Sequence, residues 1–342
     1  MQQLTYIVSG TADAQRKAEQ AKEKLDRIPH VESLLITIAA PCDMPAEKAG
    51  SMVNAVRELF PHARILAHTC ALKMADLCLD TEGAMLTFTA FESSRVEFVT
   101  VKGNTPISEA KDRIARFIGT RPHTKAVEIL VVGLMDQLGA LLEEGTAMDE
   151  RIAVFGAFVD SPPMGVHGYL IADDAELRLG MAAIVFHGET LDAHAVRNFG
   201  WNELGREIVA TRVDGCTVKE LDGGIPLRIY ERYFGIKGDG DFSSDAALFP
   251  LCFEEEDGSI SARVPIKIEE GSGELTFGVP IAKGTKLRLA YGDPYAILST
   301  AAKNAHHMAD FSPQVVMGAA CVGHYLPVSY THLRAHETRH DL

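Results

Sequence analysis

Residues 34–69 read LLITIAAPCDMPAEKAGSMVNAVRELFPHARILAHT, and this stretch decides the fold class. Leu34–Ala39 is a continuous apolar run, the pattern of a strand buried on both faces. Pro45 suits a first helical turn. Ala46, Ala49, Val53, Val56 and Phe60 then recur at alternating steps of three and four, which is one face of an amphipathic helix. Pro61 stops that helix, and Ile65–Ala67 opens a second buried strand. Strand, helix, strand with a short return is the unit that places two strands side by side in parallel.

Upstream, Leu4–Val8 reads as a short strand. Ala14, Ala18, Ala21, Leu25 and Ile28 mark a second amphipathic helix that ends at Pro29. Downstream the period changes. Leu86, Phe88 and Ala90 alternate with threonines, and Val96 and Phe98 alternate with Arg95 and Glu97, as in antiparallel strands with one wet face. Thr105–Pro106 starts a helix through Ile107, Ala110, Ile114 and Phe117. Val127–Val132 predicts a buried strand and Gln137–Glu144 a helix. Beyond residue 151 strands dominate: Ile152–Phe158, His167–Ala172, Met181–Phe186, Leu191–Val196 and Ile208–Val213. Pro226–Phe234 predicts a helix, and the Gly- and Asp-rich Lys237–Asp245 a loop and a domain boundary. Val264, Ile266 and Ile268 alternate, as do Leu275, Phe277 and Val279, and Leu287, Leu289 and Tyr291, which predicts a meander. Asp293–Pro294 supplies an N-cap and first turn for a helix carrying Ile297, Ala301, Ala305 and Met308. Val315–Ala320 reads as a last buried strand. The sequence carries no internal repeat. The fold class is α/β, with mixed parallel and antiparallel sheets flanked by helices in two packed subdomains.

The bulk composition fits that reading. The 342 residues are 46% hydrophobic and 23% charged, enough to build a core without disulfides or metals. A net charge of −14 repels phosphate backbones and anionic lipid, so neither nucleic acid nor membrane insertion is expected. The N-terminus has no basic start or long apolar core, and the apolar runs are strand length. Six scattered cysteines without a CxxC pair read as reduced thiols in the cytoplasm.

Catalytic signatures are absent. There is no GxSxG elbow, no GxxxxGK[ST] loop, no GxGxxG after a strand and no HExxH. Asp239, Asp241, Ser243 and Asp245 alternate as calcium ligands do. The stretch lacks the required glycine and has Pro250 where a bidentate Glu belongs, so it reads as a solvated acidic loop. His306 and His307 point to different helix faces and cannot share a metal easily. No cofactor and no metal is expected. Thr69 and Cys70 follow a buried strand at its carboxyl end, where ligands meet α/β sheets. There they either line a ligand or pack, and a covalent role for Cys70 needs a base.

Residues 328–342 read VSYTHLRAHETRHDL and break the pattern, with His332, His336 and His340 crowded together. Read back into codons, the stretch resembles a transposase mosaic end joined to a sequencing adaptor. On that reading its histidines carry no function, and the natural chain continues past Pro327.

Four segments carry a family resemblance. Phe60–Cys70 resembles "fP.a.i.G.St", and Arg151–Asp160 resembles "pvvGG.a.D" with Gly156 and Asp160 in place. Phe199-Gly200-Trp201-Asn-Glu-Leu-Gly205, Ile208–Thr211 and Val218–Tyr230 with Asp222 and Gly223 match "G..plG....vT...g..i.eldG.pAl..y" with the spacing intact. Pro313–His324, with Cys321, resembles "p..al.fsC.gR". These segments resemble those of the FIST family of bacterial sensory proteins. The resemblance divides the chain into an N-terminal sensory domain over 1–222, an incomplete C-terminal domain over 223–327, and a non-native tail over 328–342.

It implies a cytoplasmic sensory module that binds a small molecule, such as an amino acid, and is itself no enzyme. Its partner would be a missing output domain (diguanylate cyclase, histidine kinase or chemoreceptor) or a signalling protein. The ligand-binding candidates are Thr69, Cys70, Gly156, Asp160, Gly200, Trp201, Asp222 and Cys321. The glycines serve tight turns or close approach to a ligand. Asp160 and Asp222 bind a ligand ammonium, or Asp222 forms a turn. Trp201 walls a pocket or plugs a core. The alternatives are an enzyme using Cys70 or Cys321 with His68 or His324, and a protein-interaction scaffold.

Overall fold

A computed structural model describes residues 1–70, 73–75, 78–80, 82–133, 151–159, 168–238, 242–255, 258–269, 271–321, 323–325 and 328. The first sheet is built around the stretch quoted above. β1 (Gln2–Val8) leads through α1 (Thr11–Leu25) to β2 (Ser33–Ala40), and α2 (Ala46–Leu59) returns the chain to β3 (Arg64–Thr69). β2 and β3 are parallel, with Leu35 opposite Arg64 and Ala40 opposite Thr69. A small hairpin, β4 (Lys73–Ala75) and β5 (Cys78–Asp80), precedes β6 (Ala84–Phe91). β6 inserts antiparallel between β1 and β2.

The next segment repeats this path. β7 (Arg95–Lys102), α3 (Ile107–Gly119), β8 (Thr124–Val132) and β9 (Ala153–Phe158) follow one another. After the hairpin of β10 (Leu170–Ala172) and β11 (Ala175–Leu177), β12 (Gly180–His187) inserts antiparallel between β7 and β8. β8 and β9 are parallel. The first sheet runs β1-β6-β2-β3-β10-β11 and the second β7-β12-β8-β9. Strand for strand, β1, β6, β2 and β3 correspond to β7, β12, β8 and β9. The β10–β11 hairpin crosses back to the first sheet and pairs antiparallel with β3.

The two sheets stack face to face. Leu35, Leu66 and Phe91 of the first meet Phe98, Leu130 and Ile184 of the second in one apolar layer. α1 and α2 cover the outer face of the first sheet through Ala14, Ala18, Ala21, Ala49 and Val53. α3 covers the second through Ala110 and Ile114. The order of layers is helix, sheet, sheet, helix.

A third sheet follows. β13 (Trp201–Asp214) and β14 (Thr217–Leu221) form a hairpin, then come α4 (Leu227–Phe234) and α5 (Phe242–Ala246). β15 (Leu251–Glu254), β16 (Ile260–Arg263), β17 (Pro265–Ile268), β18 (Leu275–Phe277) and β19 (Lys286–Gly292) complete it, before α6 (Pro294–Phe311). The strands lie in the order β16-β15-β19-β13-β14-β18-β17, and their pairings are antiparallel. Tyr230 of α4 is fully buried in this sheet's core, and its hydroxyl donates to the Phe249 carbonyl at 3.0 Å.

Several expectations are corrected. Leu191–Val196 forms no strand, and residues 189–200 are the connection that leads from the second sheet to the third. Val315–Ala320 is not a buried strand: it pairs with nothing described and is largely exposed, so its apolar run has no ladder to join. The loop expected over Lys237–Asp245 does not separate two bodies. β15 after it pairs with β19, which pairs with β13 before it. Residues from Phe242 are helical in α5, and residues 239–241 lie outside the described set. The helix expected over Gln137–Glu144 also lies outside the described residues. Asp293 caps α6 as its position predicts, its carboxylate accepting the Tyr295 N–H at 2.9 Å.

Candidate functional site

The parallel pairs point their carboxyl ends at one place. β3 ends at Thr69, which is buried. Its hydroxyl donates to the carbonyl of Val159, just past β9, at 2.8 Å, and accepts the Tyr169 N–H at 3.3 Å. The Thr69 N–H donates to the Tyr169 carbonyl, and the Cys70 N–H to the Ala40 carbonyl at the end of β2. One threonine therefore ties together the ends of β3 and β9 and the approach to β10.

Around it lies a set of buried and half-buried polar side chains. Cys42 follows β2, and burial pushes its thiol up, with Cys70 adding to the push and Lys73 opposing it. Lys73, on β4, is only 2% exposed. Tyr169 is also 2% exposed, and its hydroxyl has no hydrogen-bond partner among the described residues. Burial drives the Tyr169 phenol far above its usual range, against the opposing pull of Arg178, whose guanidinium lies 5.5 Å from the ring centroid. The Cys42 thiol and the carboxylates of Glu176 and Glu47 add to the upward push. The chemistry on offer is a neutral hydroxyl, two thiols and one ammonium in a low-dielectric setting. A hydroxyl without a partner there costs about 1–3 kcal/mol.

Of the sequence candidates, Thr69 and Cys70 belong to this cluster and the others do not. Asp160 lies outside the described residues. Gly156 is explained by packing: a Cβ there would sit 1.9 Å from the Ile129 carbonyl oxygen of β8. Gly200 is explained similarly, since a Cβ would lie 2.4 Å from the Ile297 side chain of α6. Trp201 fills a small core with Cys252 and Ala290, its ring centroid 5.6 Å from that of His324. Cys321 is exposed, and its carbonyl accepts the His324 N–H at 3.0 Å. Asp222 is already engaged, accepting the Val209 N–H at 2.9 Å and meeting Arg206 at 2.7 Å. The Val209 N–H and the Arg206 guanidinium hold its carboxyl below the usual range.

His68 is half-buried on β3. Its Nδ1 lies 2.9 Å from the Thr69 carbonyl, and burial pushes its pKa down. Sequence reasoning missed Cys42, Lys73 and Tyr169. Cys42 has a signal in hindsight, since it sits just after the first strand of the parallel pair. Lys73 and Tyr169 have none, because only the tertiary fold brings them there. Among the described residues no three His, Cys, Asp or Glu side chains gather as a metal set would, and no helix is long and apolar enough to cross a membrane.

The chain is thus a layered α/β body followed by an antiparallel sheet, with polar groups gathered at the strand ends. The FIST N domain matches residues 34–224 and the FIST C domain residues 226–341, and the chain belongs to the FIST family. FIST domains are sensory domains of signal-transduction proteins. None of the curated proteins compared with the chain matches it.

Proposed function

We propose that the chain is a cytoplasmic sensory module that holds a small polar ligand, an amino acid or a short carboxylate, at the carboxyl ends of β2 and β3. The observation that carries this is the Tyr169 hydroxyl, buried and unpartnered among the described residues, near the Cys42 thiol, which in turn feels the charge of the buried Lys73. A ligand carboxylate takes the hydroxyl proton as a hydrogen bond and gains from the buried ammonium. The Thr69 bridge links that place to both stacked sheets, so a ligand that pulls on β3 also pulls on β9 and β10. Its effect is bounded by its differential affinity for the two states. The readout falls to an output domain outside this chain, a diguanylate cyclase, histidine kinase or chemoreceptor.

Binding is favoured over thiol chemistry. Burial pushes the Cys42 thiol up, opposite to what a nucleophilic thiolate at this site needs. Thermal melts of the whole chain with amino acids and small carboxylates test the reading. A true ligand at about a hundred times its dissociation constant adds roughly 2.7 kcal/mol. Tyr169→Phe is expected to erase that gain while costing the unliganded protein less than about 1 kcal/mol, since it removes a group that is unpaired already. An equal gain in the Phe variant, or substrate turnover with no ligand-dependent stabilisation, overturns it.

A further inference from the structure

A cleft of about 190 Å³ lies against the third sheet. Three pieces of chain build it. β13 leaves the β19 ladder between Leu204, opposite Leu289, and Ile208, opposite Leu287, and Gly205 at φ +69° turns that bulge. β14 runs into a turn in which Asp222 holds φ +50°. α4 closes the third side. The lining includes apolar side chains of Ile208, Leu221 and Ile229, with the guanidinium groups of Arg206, Arg228 and Arg232 beside them.

The charges in this cleft do not balance. Arg206 is taken by Asp222 at 2.7 Å. Two carboxylates of β13 are taken as well, Glu207 by Lys286 at 3.2 Å and Glu203 by Arg288 at 3.7 Å, while Glu231 of α4 is not among the lining residues. Among the described residues, that leaves Arg228 and Arg232 with no ion pair. They stand four apart on α4, hence on one face of the helix, and both line the cleft. In a chain of net charge −14, a doubly positive wall beside an apolar surface is a local inversion of the surface.

We propose that this cleft is a second binding site, for a small organic carboxylate with an apolar body. Arginine forks match a carboxylate bidentately, and an aliphatic body displaces water from the exposed Ile225 and the half-buried Ile229. Most of the residues that build it belong to the strongest family segment, Phe199–Tyr230, with Arg232 and Tyr233 following directly on α4. Its Gly205 turns the bulge, and its Asp222 pins Arg206 away from the other two arginines. The site is independent of the one at Tyr169.

Calorimetric titration of the whole chain with 4-methylpentanoate, and with the matching amide as control, tests it. The acid is expected to bind at least about tenfold tighter than the amide, and Arg228→Gln and Arg232→Gln each to weaken the acid about tenfold. Both arginines are exposed, so the variants should melt with the wild type. Tyr169→Phe should leave this binding unchanged, which separates it from the other site. No binding of the acid, equal binding of acid and amide, or wild-type affinity in both arginine variants overturns the proposal. So does inorganic phosphate binding as tightly as the acid, which would reduce the site to charge alone.

Discussion

Gly156 and Gly205 both lie at positive φ, yet they are glycine for different reasons. At Gly156 a Cβ would meet the Ile129 carbonyl oxygen at 1.9 Å, so β9 can lie parallel to β8 only if no side chain intervenes. At Gly205 nothing lies within 4 Å of a Cβ, and only the φ of +69° asks for glycine. Gly205→Ala should cost about 1–2 kcal/mol, the penalty of a left-handed L-residue. Gly156→Ala should cost more, about 3 kcal/mol, because backbone must move against backbone. Urea unfolding midpoints at a common slope measure both. Equal costs would mean that the two strands separate freely at Gly156. Sequence reasoning selected both glycines but not the reasons. A glycine that admits a neighbouring strand reads the same as one that admits a ligand until the neighbour is placed.

At the scale of elements, β8 shows what periodicity hides. Val127–Val132 reads as an apolar strand, and it is one, but Glu128 sits inside it. Alternation puts Glu128 on the face of Ala126 and Leu130, in the layer between the two sheets. Its strand neighbours there are Ile184 of β12 and Phe155 of β9. Burial alone pushes its carboxyl from 4.5 up to about 7. The folded protein therefore keeps a proton that the unfolded chain has lost. The stability tied to that proton is full below about pH 4.5 and is lost as pH rises through 7. The size is on the order of 3 kcal/mol. Glu128→Gln removes the titration. It should gain on the wild type as pH rises from 5 to 8, by up to about 3 kcal/mol. Parallel denaturation curves at the two pH values read the difference directly. A wild-type-to-variant gap that does not change with pH would show that the carboxyl is solvated. Strands, helices and their types were legible here because each has a period. The depth of one strand within a stack of sheets has none.

At the scale of the molecule, the duplicated path from β1 to β6 and from β7 to β12 left no trace in the residues, although the strand order repeats. The two halves keep the same topology with different side chains, because a stacked sheet needs apolar character and volume rather than identity. The candidate site was half legible for the same reason. Thr69 and Cys70 are local features of a strand end, whereas Tyr169 reaches the site through long-range pairing of β10 with β3. Thr69 is where the halves join, and this yields a final prediction. Thr69→Val keeps the volume and the β-branch but removes one hydroxyl that serves both the Val159 carbonyl and the Tyr169 N–H. The Tyr169 N–H and the Val159 carbonyl then each lose a partner, at a combined cost of about 2–3 kcal/mol. If the joint also carries the ligand's effect, hydrogen exchange at β9 and β10 should accelerate in the variant, and ligand should no longer slow it. A variant as stable as the wild type, with ligand protection reaching β9 undiminished, would place the coupling in the apolar layer between the sheets rather than in this hydrogen bond.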